Sequence, residues 1–426
     1  MKMIGPLKLL LLIGFFSSCN KEKEPENSIA DTYGNDMVLL WNQAAATTAV
    51  KGGSATPMAE SRVYAMINGA VHDALNNIVK RYGTYAFSEP EKKDASPDAA
   101  VSQAAHDMIV ALLPLQKAYA DSLLNACLSV IKEGNSKNRG IELGAKAASM
   151  MLASRLTDGA ATAQYSVVQG TAPGVYRSTP PFDATGFVAL PGWGKVKPFS
   201  LKEAAAFRPP APYALTGASY AADLNEVKTM GCATCPKRTA DQTQLGVFWL
   251  ENVPSSWNRV ARELIKQKAL KGWETARLLA LVHIAEADAN IAAFDAKLFY
   301  NFWRPISAIR LADQDGNPET AADPTWINLA PPTPPAPDYP SNHAADGGAA
   351  AELLKQYFKK DDFRFTLTSP TLAGVTRTFT SLSQAASEVS LSRIYVGFHF
   401  RNAVEKGEEM GRKVGKYVFE NALRPL

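Results

Sequence analysis

Apolar residues recur along this chain at steps of three and four. Val63, Met66, Ile67, Ala70, Val71, Ala74, Leu75 and Ile78 form one such stripe, the spacing that lines one face of an α-helix. The same periodicity predicts helices at about 99–114, 117–132, 139–156, 242–252, 257–267 and 274–300. In the last of these Leu278, Leu281, Val282, Ala285 and Ala289 share a face. Between about 160 and 240 the pattern lapses, and the chain turns rich in Pro and Gly, as in Pro191-Gly192-Trp193-Gly194 and Arg208-Pro209-Pro210. Its aromatics argue for irregular structure packed over a helical core rather than for disorder. Phe365, Leu367, Val375 and Phe379 alternate with polar residues, which predicts a short β-ribbon near 364–380. The final helix carries Gly407, Gly411 and Gly415 on one side. Glycine weakens a helix, so this stripe implies close helix–helix contact. No short repeat or domain boundary is visible. The expected architecture is all-α, a single helical domain over 31–426 with small β-ribbons.

The N-terminus changes the picture of compartment. Lys2 and Lys8 precede and flank an apolar run, Leu9 to Phe16, too short to span a bilayer and shaped like a signal peptide. The run ends in Ser17-Ser18-Cys19, which resembles a bacterial lipobox. The expectation is a signal over 1–18, lipid on Cys19, a polar tether over 19–30 and a place in the cell envelope. An ordinary signal peptide with a chance cysteine is the alternative. No later segment reads as a membrane span, so membrane contact is expected through the lipid only. The formal charge of +4 falls to about +2 without Lys2 and Lys8. That balance excludes a general nucleic-acid binder, and any cationic site must be local. Cys127 lies in an apolar helical pattern. Cys232 and Cys235 form a lone CxxC in a Gly- and Pro-flanked loop. Without a second pair this is a poor zinc site, and in an exported chain a local disulfide or two free thiols remain open.

The candidate chemistry sits in the region about 275–420, in three clusters. Lys297 and Arg304-Pro305 bracket Phe299, Phe302 and Trp303. Seven residues are nearly two helical turns, so the two cations are expected on almost one face, with Arg304 at the helix end because of Pro305. Asp338-Tyr339-Pro340-Ser341-Asn342-His343 precedes a helical run. A helix start offers free N–H groups to an anion, and Ser341 and His343 add side-chain donors. Ser392-Arg393 and His399 lie across Gly397, where a bend is needed for Arg393 and His399 to converge. Each cluster alone is ordinary. Together, three cations, two imidazoles and hydroxyl and amide donors suit a phosphate-shaped oxyanion and need no divalent metal. His72, His106 and His283 read as structural.

These three motifs resemble the signature of the superfamily that joins vanadium-dependent haloperoxidases to type 2 phosphatidic acid phosphatases. Phe302-Trp303-Arg304-Pro305, the lead-in from Thr333 to Ser341, the stretch Val71-His72-Asp73-Ala74-Leu75-Asn76 and the Pro-Gly-Trp-Gly loop are similar to the bacterial haloperoxidase branch. The resemblance implies a helical-bundle fold and an oxyanion held by Lys297, Arg304, Arg393, Ser341 and the Asn342 N–H. It further implies vanadate as cofactor, His399 as the axial vanadium ligand and His343 as an acid–base residue. The implied reaction oxidises halide with hydrogen peroxide to a hypohalous-acid equivalent. The alternatives are an acid phosphatase working through a phosphohistidine at His399 and a non-catalytic surface-binding lipoprotein. The chain departs from the pattern twice. Asn342 replaces the usual glycine, and Ala403 stands where many members place an aspartate four residues after the last histidine.

Overall fold

A computed structural model describes Met1 and residues 28–52 and 56–426. Cys19 and the leader expected before it lie outside the described residues. Six helices come first: α1 (Ile29–Thr32), α2 (Asp36–Lys51), α3 (Pro57–Asn76), α4 (Pro97–Leu112), α5 (Lys117–Ser129) and α6 (Asn135–Arg155). Then follow α7 (Ala218–Met230), α8 (Ala240–Phe248), α9 (Val253–Gln267), α10 (Gly272–Tyr300), α11 (Pro305–Arg310) and α12 (Asn342–Phe358). A hairpin of β1 (Phe365–Ser369) and β2 (Leu372–Phe379) precedes α13 (Leu382–Tyr395) and α14 (Arg401–Asn421). The strands are antiparallel with Phe365 opposite Phe379, so the alternation reported a real ribbon.

Helix starts follow local chemistry. Thr56 and Ser96 each accept the N–H of the residue three ahead and are followed by proline at the first helical position, which needs no N–H there. α10 is the central strut, packing on α3, α12 and α14. Its sequence suggested one apolar face, but Leu278 to Phe294 is buried on every side. Several of the polar residues it carries inward are paired. Asp288 accepts the N–H groups of Phe199, Ser200 and Leu201 at 2.6, 2.8 and 3.0 Å. That carboxylate pins the irregular segment onto the helix. His283 Nδ1 lies 2.8 Å from Glu286 and Nε2 3.0 Å from Asn258. His72 contacts the Gly83 carbonyl, and His106 sits between Asp107 and Asp121. None of the three faces the cavity described below.

The segment from 160 to 240 is not irregular throughout. It contains α7, whose buried side is Tyr220, Ala221, Leu224 and Val227. The glycine stripe works as expected. A Cβ at Gly407, Gly411 or Gly415 would run into the backbone of Ser341, Ala345 or Ala349. α14 thus lies directly on α12, and this clamps the start of α12.

Candidate active site

Lys297 projects from the last turn of α10. Asn301, at φ 47°, ends that helix and donates its N–H to the Lys297 carbonyl at 2.8 Å. Arg304 is extended (φ −79°, ψ 155°) and precedes α11. The two cations therefore do not share a helix face, contrary to the spacing argument. The turn between the helices brings them together, because Pro305 excludes helix at Arg304. Of the bracketed aromatics Trp303 is fully buried, while Phe299 is exposed beneath the Arg208 guanidinium. Lys297 is wholly buried and donates to the carbonyls of Pro337 (2.7 Å) and Asp338 (3.1 Å). Burial, then the Arg304 charge, holds its ammonium well below the usual lysine range. Arg304 donates to Ala336 O at 2.6 Å and to Phe398 O at 2.9 Å, and its Nη1 lies 2.9 Å from His399 Nε2.

Ser341 caps α12, its Oγ accepting the Ala344 N–H at 3.4 Å. Its own N–H donates to Ala403 O at 2.9 Å, which ties this start to α14. His343 Nε2 lies 3.1 Å from the carbonyls of both Trp249 and Glu251. Carbonyls only accept, so Nε2 carries the proton and Nδ1 keeps a lone pair. Burial, then the Arg393 charge, holds this imidazole's pKa well below the ordinary histidine value. Asn342 reaches Asn290 Oδ1 at 3.5 Å.

Arg393 lies in the last turn of α13, and Gly397 supplies the bend. Its φ is +78°, and an added Cβ would strike the Gly231 carbonyl and the Trp326 ring. Gly231 opens the loop that holds Cys232 and Cys235, which are disulfide-bonded. The Phe398 N–H then folds back to Arg393 O at 2.9 Å. Arg393 Nη1 donates to Trp249 O at 2.9 Å, while its buried Nε has no partner among the described residues. Burial and the nearby Arg304 charge bring its pKa down to about 9.

Asp338, which no motif role singles out, completes the site. Position 403, one turn beyond His399, is alanine and supplies no carboxylate. Asp338 instead places Oδ1 2.8 Å from His399 Nδ1. It is fully buried, and burial, opposed by Arg304 and Lys297, raises its carboxyl to about 7. Ala403 and Asp338 line one narrow void, so the short side chain at 403 leaves room for an acid arriving from the other segment. Asp338 beside Nδ1 and the Arg304 guanidinium 2.9 Å from Nε2 together favour the His399 tautomer that carries its proton on Nδ1.

Arg304, Asn342, His343, Arg393 and His399 border one cavity of about 260 Å³. Lys297 and Ser341 sit behind its wall; the Lys297 and Arg304 charges both depress the His399 pKa. A larger cleft of about 490 Å³ beside Cys232 holds none of these residues. Among the described residues, three buried basic side chains lie around one acid, Asp338, and the Arg393 Nε has no partner. Buried charge without a counter-ion is costly, so the donor set fits a multiply charged tetrahedral anion.

Residues 277–426 match the family model of the VCPO second helical-bundle domain. Vanadium chloroperoxidase from Curvularia inaequalis is 33% identical over 147 residues, 29% of this chain and 24% of that protein. The match thus spans about a quarter of that relative's length. Among solved structures, a bacterial vanadium-dependent iodoperoxidase superposes with a TM-score of 0.78 at 24% identity, covering 95% of this chain and 99% of the other. A holo bacterial vanadium-dependent chloroperoxidase gives 0.70 at 17% identity, covering 86% and 92%. The chain therefore has the fold of the bacterial vanadium-dependent haloperoxidases, and its residues 277–426 are similar to the VCPO second helical-bundle domain.

Proposed function

We propose that this chain is a vanadate-dependent haloperoxidase, oxidising halide with hydrogen peroxide to a hypohalous-acid equivalent. One observation carries the reading. Lys297, Arg304 and Arg393 converge around His399, whose Nδ1 is tied to buried Asp338 and whose Nε2 faces Arg304. The three cations, Ser341 and the Asn342 N–H would hold the oxygens of vanadate, with His399 as its side-chain ligand. Bound vanadate supplies a Lewis-acidic centre that makes peroxide a two-electron oxidant. The cations offset its negative charge without a divalent metal. Oxidising halide to hypohalous acid consumes one proton per peroxide, and the His343 Nδ1 lone pair is placed to hold and pass it.

A phosphatase is the second reading, because Asp338 provides the carboxylate that a phosphohistidine at His399 would use. A passive binding protein has no use for three buried converging cations. Halogenation of a phenolic dye with vanadate, peroxide and bromide or iodide, run beside p-nitrophenyl phosphate hydrolysis, separates the readings. Dye halogenation with negligible ester hydrolysis is expected. Ester hydrolysis without halide oxidation would move the function to the phosphatase.

Location is a separate proposal, resting on Ser17-Ser18-Cys19. Cys19 carries the lipid that holds the protein at the cell envelope. No described helix is long and apolar enough to cross a membrane. Cys19→Ala is expected to move the protein from the membrane to the soluble fraction with its specific activity intact. Continued fractionation with membranes would refute the anchor.

A further inference from the structure

The cavity wall contains, beside its charged groups, one thioether side chain. Met58 lies in the first turn of α3, placed there by the Thr56 cap and Pro57. It borders the same cavity as Arg304, His343 and His399, although it is only 4% exposed. Otherwise the cavity wall is poor in oxidisable groups. Among the described residues no cysteine, tryptophan or tyrosine borders it, and the aromatic ones that do, Phe294 and Phe398, are phenylalanines. A thioether is a soft nucleophile that takes up oxygen readily, and the sulfoxide is polar where the thioether was apolar.

We infer that Met58 is a modification site, the first side chain to capture hypohalous acid formed inside the cavity. This rests on the haloperoxidase reading, which supplies the oxidant. The Met58 sulfur attacks the halogen of the hypohalous acid, forming a sulfur–halogen bond and releasing hydroxide. Water then adds at sulfur, halide leaves and two protons are lost, one of them neutralising the hydroxide. The net change is thioether plus hypohalous acid to sulfoxide, halide and one proton. Sulfur loses two electrons and the halogen gains them. Because the sulfoxide is bulkier and polar, each capture alters the wall past which halide and product move. The residue thereby makes catalysis self-limiting.

Burial gives a direct test, because Met150 is 43% exposed on the surface of α6 and remote in sequence from the cavity wall. Reagent hypobromite added to vanadate-free protein should oxidise Met150 before Met58. During turnover with vanadate, peroxide and bromide the order should invert, with peptide mass spectrometry finding the Met58 sulfoxide first. Vanadate and peroxide without halide should leave Met58 reduced. Met58→Leu, which keeps the volume and removes the sulfur, should abolish the early oxidised peptide while Met150 still oxidises late. Dye halogenation with Met58 unmodified or trailing Met150 overturns the inference and leaves the functional reading standing. Equal oxidation without halide also overturns it. Absence of dye halogenation with every methionine unmodified sinks the functional reading and this inference together.

Discussion

Replacing His399 with alanine should weaken vanadate binding sharply and abolish halide oxidation, since loss of one oriented catalytic group alone costs about two to four powers of ten in rate, about 3–5 kcal/mol. The size of the effect follows from position. His399 borders the cavity, with Asp338 2.8 Å from its Nδ1, an arrangement that favours an unprotonated Nε2. The cations hold the oxygens of the anion by charge, and charge alone does not fix the centre of a tetrahedral ion. His343→Ala is the matched comparison. It removes an imidazole held by the Trp249 and Glu251 carbonyls and leaves Lys297, Arg304, Arg393 and His399 in place. Vanadate should then still bind, more weakly, while turnover falls and the pH–rate profile loses one limb. Titration calorimetry with vanadate and bromide or iodide oxidation rates, on both variants, read the split. Vanadate binding at parental strength in His399→Ala, or full turnover in His343→Ala, would overturn the assignment.

Asp338→Ala should lower vanadate affinity by about 10–100-fold, the range found when a partner behind a ligating imidazole is removed. Two effects act together. His399 loses the acid group 2.8 Å from its Nδ1, so the other tautomer, in which Nε2 bears the proton and cannot ligate, is no longer disfavoured. The buried cations also lose the acid closest to them, with Arg304 Nη1 3.9 Å from Asp338 Oδ1. Asp338→Asn separates the two. It keeps an oxygen able to accept from Nδ1–H and removes the charge, so it should recover part of the affinity. Nitrogen NMR shifts of the His399 ring give the readout that a merely structural role would not move. They should report Nδ1–H in the parent and in Asp338→Asn, and a tautomer mixture in Asp338→Ala. An unchanged tautomer and unchanged vanadate affinity in Asp338→Ala would show that the carboxylate does not position the histidine.

Much of this site was legible because its parts are local. The cap at Ser341, the bend at Gly397 and the glycine stripe of α14 each depend on a few neighbouring residues, and short-range spacing reports short-range geometry. The helical class, the hairpin at 365–379 and the three clusters follow from the same kind of pattern. Where tertiary context decides, that pattern fails. α7 was missed because its apolar side chains are few and lie in a Pro- and Gly-rich stretch. Lys297 and Arg304 looked like one helix face, but Asn301 ends the helix between them. α10 was read with one apolar face and is buried on all of them, because helices pack around it from every side. The pairing of Cys232 with Cys235 stayed open until the loop geometry closed it. The carboxylate of His399 was sought one helical turn ahead, at Ala403, and arrives instead from Asp338. Periodicity registers neighbours three or four residues apart along a helix, whereas an acid–histidine contact between distant segments exists only once the chain path brings them together.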